Sequence, residues 1–399
     1  MRCPHSRSTV RRRRDARGFT LVELLVTMAI TTVILGATMA AMNDAIKATE
    51  SAKLLTGLNN GLRTAMDLMV RDVMQVGQGL PSGRVILIPS GANSQPMQLP
   101  GPVGSNFQLD GPSFCPPDTF LCAQISAVIP GPGRGPEVLE GQPTDMISTV
   151  AADSAFDQVR LTAFAANGSS ITVALPGAAA PNSPQGRNIT NGGADDIEPG
   201  DLIMLTKATS ALVQVTRVVG QQVFFDAGDS LGLNQTAAAD GTAGELRNTA
   251  PADTTPASGC CVSTIATRVR LITYYLDVTT DPRRPRLVRR INNGSGLTAA
   301  TTFDNSSGTV VAFDIENLTI SYDLADGANF LSNVRMTDAD LDGSGACAPE
   351  PCSANQIRKV NFVLSGRSSR PMRGTNQFFR NRLATQVSLR SLSFVDRYQ

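Results

Sequence analysis

The chain has 399 residues, more than one average domain, with 35 basic and 34 acidic residues and a formal net charge of +1. Its one histidine is His5. No imidazole follows it, which excludes Ser-His-Asp and Cys-His catalysis, histidine metal sites and histidine base chemistry.

The charge is unevenly spread along the chain. Residues 1–18 carry seven arginines (Arg2, Arg7, Arg11, Arg12, Arg13, Arg14, Arg17) and one acid, Asp15, leaving 28 basic and 33 acidic residues beyond them. That acidic remainder argues against a broad nucleic-acid footprint. From Phe19 to Met42 the only ionisable residue is Glu23. At about 1.5 Å per helical residue this run spans about 36 Å, enough to cross a bilayer core of about 30 Å with some tilt. The basic flank places the N-terminus in the cytoplasm and exports the chain after Met42.

Beyond Met42 the helical pattern continues. Leu54, Leu55, Leu58, Leu62, Met66, Met69, Val70, Val73 and Val76 recur every three or four residues, with Lys53, Arg63, Asp67, Arg71 and Asp72 largely between them. Gly77, Gly79 and Pro81 end the pattern. One long helix over 20–76 is predicted, with Gly36, Gly57 and Asn59-Asn60-Gly61 as points where it bends. The alternative makes 54–76 a separate surface helix.

Residues 77–143 are rich in Gly and Pro and read as an irregular loop region, with a strand-like run at 85–88. From Asp145 the texture changes to short strands at 146–150, 159–164, 171–175, 202–206, 212–219 and 223–226. The stretch 200–225 suggests three successive antiparallel strands, a small barrel or sandwich, and 227–259 a flexible excursion. A last group of strands follows at 264–278, 286–291, 310–313, 315–322, 357–364 and 383–394, expected to form one sheet. The predicted fold is α+β, a long transmembrane and amphipathic helix packed on an antiparallel β-sheet head with a β-rich insertion. Its parts are 1–18 (basic leader), 19–42 (membrane helix), 43–80 (amphipathic extension), 81–143 (loops), 144–260 (insertion) and 261–399 (sheet region).

An acid five residues into an apolar helix is costly unless an opposite charge satisfies it. The basic leader ending in Gly18, followed by Phe19-Thr20-Leu21-Val22-Glu23, resembles the class III signal of type IV prepilins and related pseudopilins. The resemblance implies that a prepilin peptidase cuts between Gly18 and Phe19 and methylates the new Phe19 amine. It further implies that Glu23 pairs with the N-terminal amine of a neighbouring subunit. An uncleaved signal anchor with a stray Glu is the competing reading. The strand order of 262–395, with Tyr274-Tyr275-Leu276, Leu287-Val288-Arg289-Arg290 and Ile315-Glu316-Asn317-Leu318, resembles PilW-like minor pilins and the J-type minor pseudopilins of type II secretion. Ala40 stands where many pilins carry a helix-kinking proline, which favours a minor subunit.

Cys3 lies in the leader, and six cysteines remain in local pairs: Cys115 and Cys122, Cys260 and Cys261, Cys347 and Cys352. In an exported chain these read as disulfides, and Cys260 and Cys261 either bridge each other or reach separate partners. Asp338, Asp340 and Asp342 open a D-x-D-x-D-G calcium-loop pattern, but its twelfth position is Pro349. An acidic turn clipped by Cys347 and Cys352 is favoured over a calcium site, and no other cofactor is implied. Arg283, Arg284, Arg286, Arg289 and Arg290 read as a solvated hairpin tip, and Arg367, Arg370, Arg373, Arg380 and Arg382 are left open between solvent and a partner.

The expected protein is a structural minor pilin of the inner membrane and then of a pilus, not an enzyme. Its expected partners are the prepilin peptidase, other pilins and the membrane, with no small-molecule substrate. A type II secretion pseudopilin, a DNA-uptake pilin and an anchored periplasmic enzyme are the alternatives.

Overall fold

The computed structural model describes residues 19–80, 86–89, 97–102, 107–109, 124–154, 156, 158–165, 167–177, 185–189, 196–206, 210–234, 264–279, 281–292, 308–326, 329–336, 354–373 and 375–392. One helix, α1 (Leu21–Met74), runs unbroken for 54 residues. The bends expected at Gly36, Gly57 and Gly61 do not interrupt it, and 54–76 is no separate helix. A helical glycine costs only about 1 kcal/mol relative to alanine, less than the flanking ladder and the packing below it supply.

The two halves of α1 have different surroundings. Large apolar side chains from Phe19 to Ile46 are exposed, whereas Leu58, Leu62, Ala65, Met66, Met69 and Val73 are buried on one face. This is the stripe expected from the three- and four-residue spacing. After the helix the chain turns at Gly77 (φ 76°) and Gly79 (φ 70°), backbone conformations that favour glycine. A Cβ at Gly77 would stand 2.8 Å from Leu392 Cδ2, and one at Gly79 would stand 2.6 Å from the Ala152 Cβ.

The strands follow in chain order. The first group is β1 (Ile86–Leu87), β2 (Met97–Leu99), β3 (Phe107–Leu109), β4 (Gln124–Ile125), β5 (Val128–Gly131), β6 (Glu137–Leu139) and β7 (Gln142–Pro143). The second is β8 (Met146–Ala152), β9 (Val159–Phe164), β10 (Ser170–Val173), β11 (Leu202–Thr206), β12 (Ser210–Gln214), β13 (Arg217–Val219) and β14 (Gln222–Phe224). The third is β15 (Ile265–Asp277), β16 (Arg286–Ile291), β17 (Thr309–Phe313), β18 (Ile315–Asp326), β19 (Asn329–Val334), β20 (Ile357–Arg367) and β21 (Arg380–Ser388).

Among the described residues the main sheet has the order β13-β14-β10-β9-β15-β11-β12-β1-β4, with β8 and β16 also on β15, β5 on β8 and β17 on β16. Only β1 and β12 pair in parallel among the described residues. The central strand β15 changes neighbours along its length. Its first residues pair with β9 and β11, and its last with β8 and β16. Nearly every residue of β15 is buried, the near-continuous apolar run of a strand covered on both faces. It joins strands from the 144–226 stretch to strands from the C-terminal stretch.

Four sequence expectations need correction. The region read as loop contains β5, buried throughout and paired with β8, because Val128 and Ile129 fill the cores beside it. The single strand expected at 212–219 is two. Val215 donates to Asp201 O and Thr216 to Phe224 O, which turns the chain between β12 and β13. Consequently 200–225 is not a three-strand unit, since β14 pairs with β10. Finally, the C-terminal strands do not form one sheet. β15 to β17 belong to the main sheet, and β19-β18-β20-β21 form a second. The chain turns the corner at Asp314, a left-handed residue (φ 61°) between β17 and β18. Arg284 holds its carboxylate at 3.2 Å. The last strand ends at Ser388 and a short 3-10 turn (Arg390–Leu392) follows.

The buried face of α1 meets both sheets in one core, with Ile272, Tyr274 and Leu276 from β15 and Leu318, Ile320, Tyr322, Phe362 and Leu364 from β18 and β20. Two further cores lie in the main sheet, one around Leu202, Met204, Leu212 and Tyr275, the other around Ile171, Ile203, Val213 and Val223. The architecture is therefore α+β, a long helix packed on an antiparallel, sheet-rich head.

Candidate functional site

The first candidate site is the free end of α1. Phe19 is 78% exposed, and Gly18 lies outside the described residues. Thr20 is the N-cap, with extended backbone (φ −78°, ψ 149°). Its hydroxyl accepts from Glu23 N at 3.2 Å, while Thr20 N and Oγ1 donate to Glu23 Oε2 at 3.3 Å each. This is a capping box, which satisfies backbone donors that the first turn leaves unpaired and puts a negative charge where the helix dipole favours one. In the single subunit the acid inside the apolar run thus rests on its own helix. The four-residue pattern Thr20-Leu21-Val22-Glu23 carries this signal, a Thr followed three residues later by a Glu at the head of an apolar run.

The second site fixes α1 to the head. Asp72, one of the charged residues that fall largely between the apolar positions of the stripe, is only 5% exposed. Tyr274 Oη donates to Asp72 Oδ2 at 2.5 Å, and Arg289 donates through Nε at 2.5 Å and Nη2 at 3.1 Å. One carboxylate on the helix is therefore held by a tyrosine of β15 and a two-pronged guanidinium of β16. Burial, and then the neighbouring carboxylate, push the Tyr274 phenol far above its ordinary value. Burial pulls the Arg289 guanidinium down, but the Asp72 hydrogen bonds and charge outweigh it and raise it.

The arginines expected at a solvated hairpin tip are mostly committed. Arg284 pairs with Asp314, Arg286 with Asp277 and Arg289 with Asp72, and Arg290 is 1% exposed. They were misread because their acids lie far off in sequence or, like Asp277, across the same hairpin. Of the later arginines, Arg367 and Arg380 share the buried Glu316, at 3.4 and 2.7 Å. Asp145, 1% exposed, accepts from Gly133 N and Ile320 N at 2.8 Å each and from Arg335 at 3.1 Å, so it ties two loops to β18. These buried acids are structural ties, and no periodicity marked them.

Cys115, Cys122, Cys260, Cys261, Cys347 and Cys352 lie outside the described residues, as do Asp338, Asp340 and Asp342. Among the described residues no group of three His, Cys, Asp or Glu side chains is placed to hold a metal.

A model of the prokaryotic N-terminal methylation motif matches residues 13–39. The matched segment runs from the basic leader across the Gly18/Phe19 junction into the exposed half of α1. With a helix long and apolar enough to cross a membrane, the match supports a type IV pilin-like protein carrying a class III signal. That motif implies recognition by a prepilin peptidase and assembly with other pilins. No curated protein and no solved structure matches the chain.

Proposed function

We propose that this chain is a minor type IV pilin, a structural subunit with no chemistry of its own. A prepilin peptidase cuts between Gly18 and Phe19 and methylates the new amine. The segment from Phe19 to Met42 then holds the subunit in the bacterial inner membrane, N-terminus inward and head outward. On assembly this segment leaves lipid for the company of other pilin helices. Glu23 exchanges its capping box for the Phe19 amine of a neighbour, which fixes the register. An acid near the end of the span is tolerated in lipid at lower cost than one at its centre, so the subunit can wait there.

The observation that carries this reading is where the matched motif falls along α1. The match ends at residue 39, inside the part of α1 whose large apolar side chains stay exposed as far as Ile46, whereas the head first reaches the helix at Glu50 and buries it from Leu58. The size of the head and Ala40 favour a minor subunit over the bulk filament protein. The commitment of Arg284, Arg286 and Arg289 to carboxylates speaks against a role in gripping DNA.

The test is mass analysis of the N-terminus from cells with and without prepilin peptidase. A mature chain starting at N-methyl-Phe19 is expected only where the peptidase is present. A chain that keeps its leader in both would overturn the proposal and leave a signal-anchored exported protein.

A further inference from the structure

A groove lies where the head comes nearest to the apolar half of α1. The loop joining β20 to β21 hangs down along the helix. At its root Asn381 donates to Asn59 Oδ1 at 2.6 Å, while its far end reaches Glu50, with Arg370 Nη1 3.9 Å from the carboxylate. Nine helical residues separate those levels, about 13 Å at 1.5 Å per residue, so the loop projects towards the membrane side. It is a built hairpin. Met372 N donates to Gln377 O at 2.9 Å, Asn376 N to Met372 O at 3.1 Å, and Phe379 N to Ser368 Oγ at 3.0 Å. Between this hairpin and the helix is a groove of about 450 Å³ lined by Glu50, Pro371, Met372, Arg373 and Asn376.

Height and charge suggest what meets this groove. Glu50 stands eight residues above Met42, about 12 Å along the axis, and helical side chains lean back towards the N-terminus. The polar layer of a bilayer adds roughly 5–7 Å beyond the hydrocarbon, within reach of a long guanidinium hanging from the loop tip. Arg370, with 70% of its side chain exposed, and Arg373, also exposed, lie at this end of the head. With Lys47 and Lys53 against Asp44 and Glu50 they make this end of the head net positive, whereas the chain beyond the leader is net acidic.

We infer that Arg370 and Arg373, with the groove beside them, dock on the anionic phospholipid headgroups of the membrane from which α1 emerges. Arg370 and Arg373 meet the phosphates, Pro371 and Met372 give the groove an apolar wall, and Glu50 opposes the anion and limits the affinity. The contact steadies the head on the bilayer before assembly, and it is released when the helix is drawn into a filament. This inference rests on the membrane-anchored reading of α1.

The test uses the full chain in lipid nanodiscs of phosphatidylcholine alone or with added phosphatidylglycerol, followed by amide hydrogen exchange of residues 368–379. Exchange is expected to slow several-fold only in discs containing phosphatidylglycerol and to recover at high salt. Arg370→Ser with Arg373→Ser should abolish the protection, and Glu50→Gln should increase it. Equal exchange in both discs would overturn the inference while leaving the pilin-like reading intact, and failure of the chain to enter discs would overturn both. Protection by inorganic phosphate in phosphatidylcholine discs would mean a soluble-phosphate site, and protection only at high protein density would mean contact between copies. Either result would refute membrane docking.

Discussion

Asp72 is the residue on which the joint between α1 and the head is most exposed to a single change. Its carboxylate accepts three hydrogen bonds, one from the buried Tyr274 and two from Arg289, whose side chain is 17% exposed. Asp72→Ala leaves a phenol and a guanidinium without that acceptor at the edge of the core that holds Met69, Val73 and Leu276. Breaking a buried pair in this way costs about 3–5 kcal/mol. Tyr274→Phe removes one donor and leaves both Arg289 bonds, so it should cost only about 1 kcal/mol. Removing both partners with Asp72→Ala and Arg289→Met should cost less than the sum of the two single changes, with a coupling of about 2 kcal/mol. The assay is urea unfolding of the detergent-solubilised chain by near-ultraviolet circular dichroism. The chain has no tryptophan, and three of its four tyrosines, Tyr274, Tyr275 and Tyr322, are buried, so the signal reports the cores. Asp72→Ala as stable as the parent, or strictly additive with Arg289→Met, would refute the argument that this carboxylate locks helix to head.

Two further outcomes are expected. Glu23→Ala should leave cleavage at Gly18/Phe19 largely intact but impair entry into filaments, and efficient incorporation of that variant would end the register argument. Asp277 gives a pH test. Burial alone would raise its carboxyl, but the Thr279 hydroxyl and amide and the Arg286 guanidinium overcome this and hold it below the usual value. A lowered carboxyl favours the folded state when ionised, so its contribution is full above about pH 3.8 and fades as pH falls through the folded-state value. The stability gap between parent and Asp277→Asn should therefore narrow on acidification below about pH 4, and a gap that widens there would contradict the assignment.

Much of the molecule was legible because it is written locally. The apolar run from Phe19 to Met42, the leader before it and the stripe from Leu58 to Val73 depend on neighbours three or four residues apart, the distance over which helical periodicity works. The ranges of β9, β11 and β16 were read to the residue, since alternation and turn residues bound each. The class III signal was legible for the same reason. The capping box was written in Thr20-Leu21-Val22-Glu23 as well and went unread.

What the tertiary structure alone decided is set by partners distant in sequence. Asp72 meets Tyr274 across 202 residues and Arg289 across 217, so nothing near it marks it as buried. Arg284 read as solvated surface charge, and Arg367 and Arg380 stayed open between solvent and a partner, until the fold brought Asp314 and Glu316 beside them. Strand periodicity says which side chains share a face, not which strand lies alongside. The division into two sheets and the changing neighbours of β15 therefore depend on the corner at Asp314 and on burial across the whole head. The sequence by itself determined the long apolar helix, the class III signal and most of the strands. The three-dimensional packing decided which charges became internal ties, because burying a carboxylate is favourable only where the fold delivers its donors.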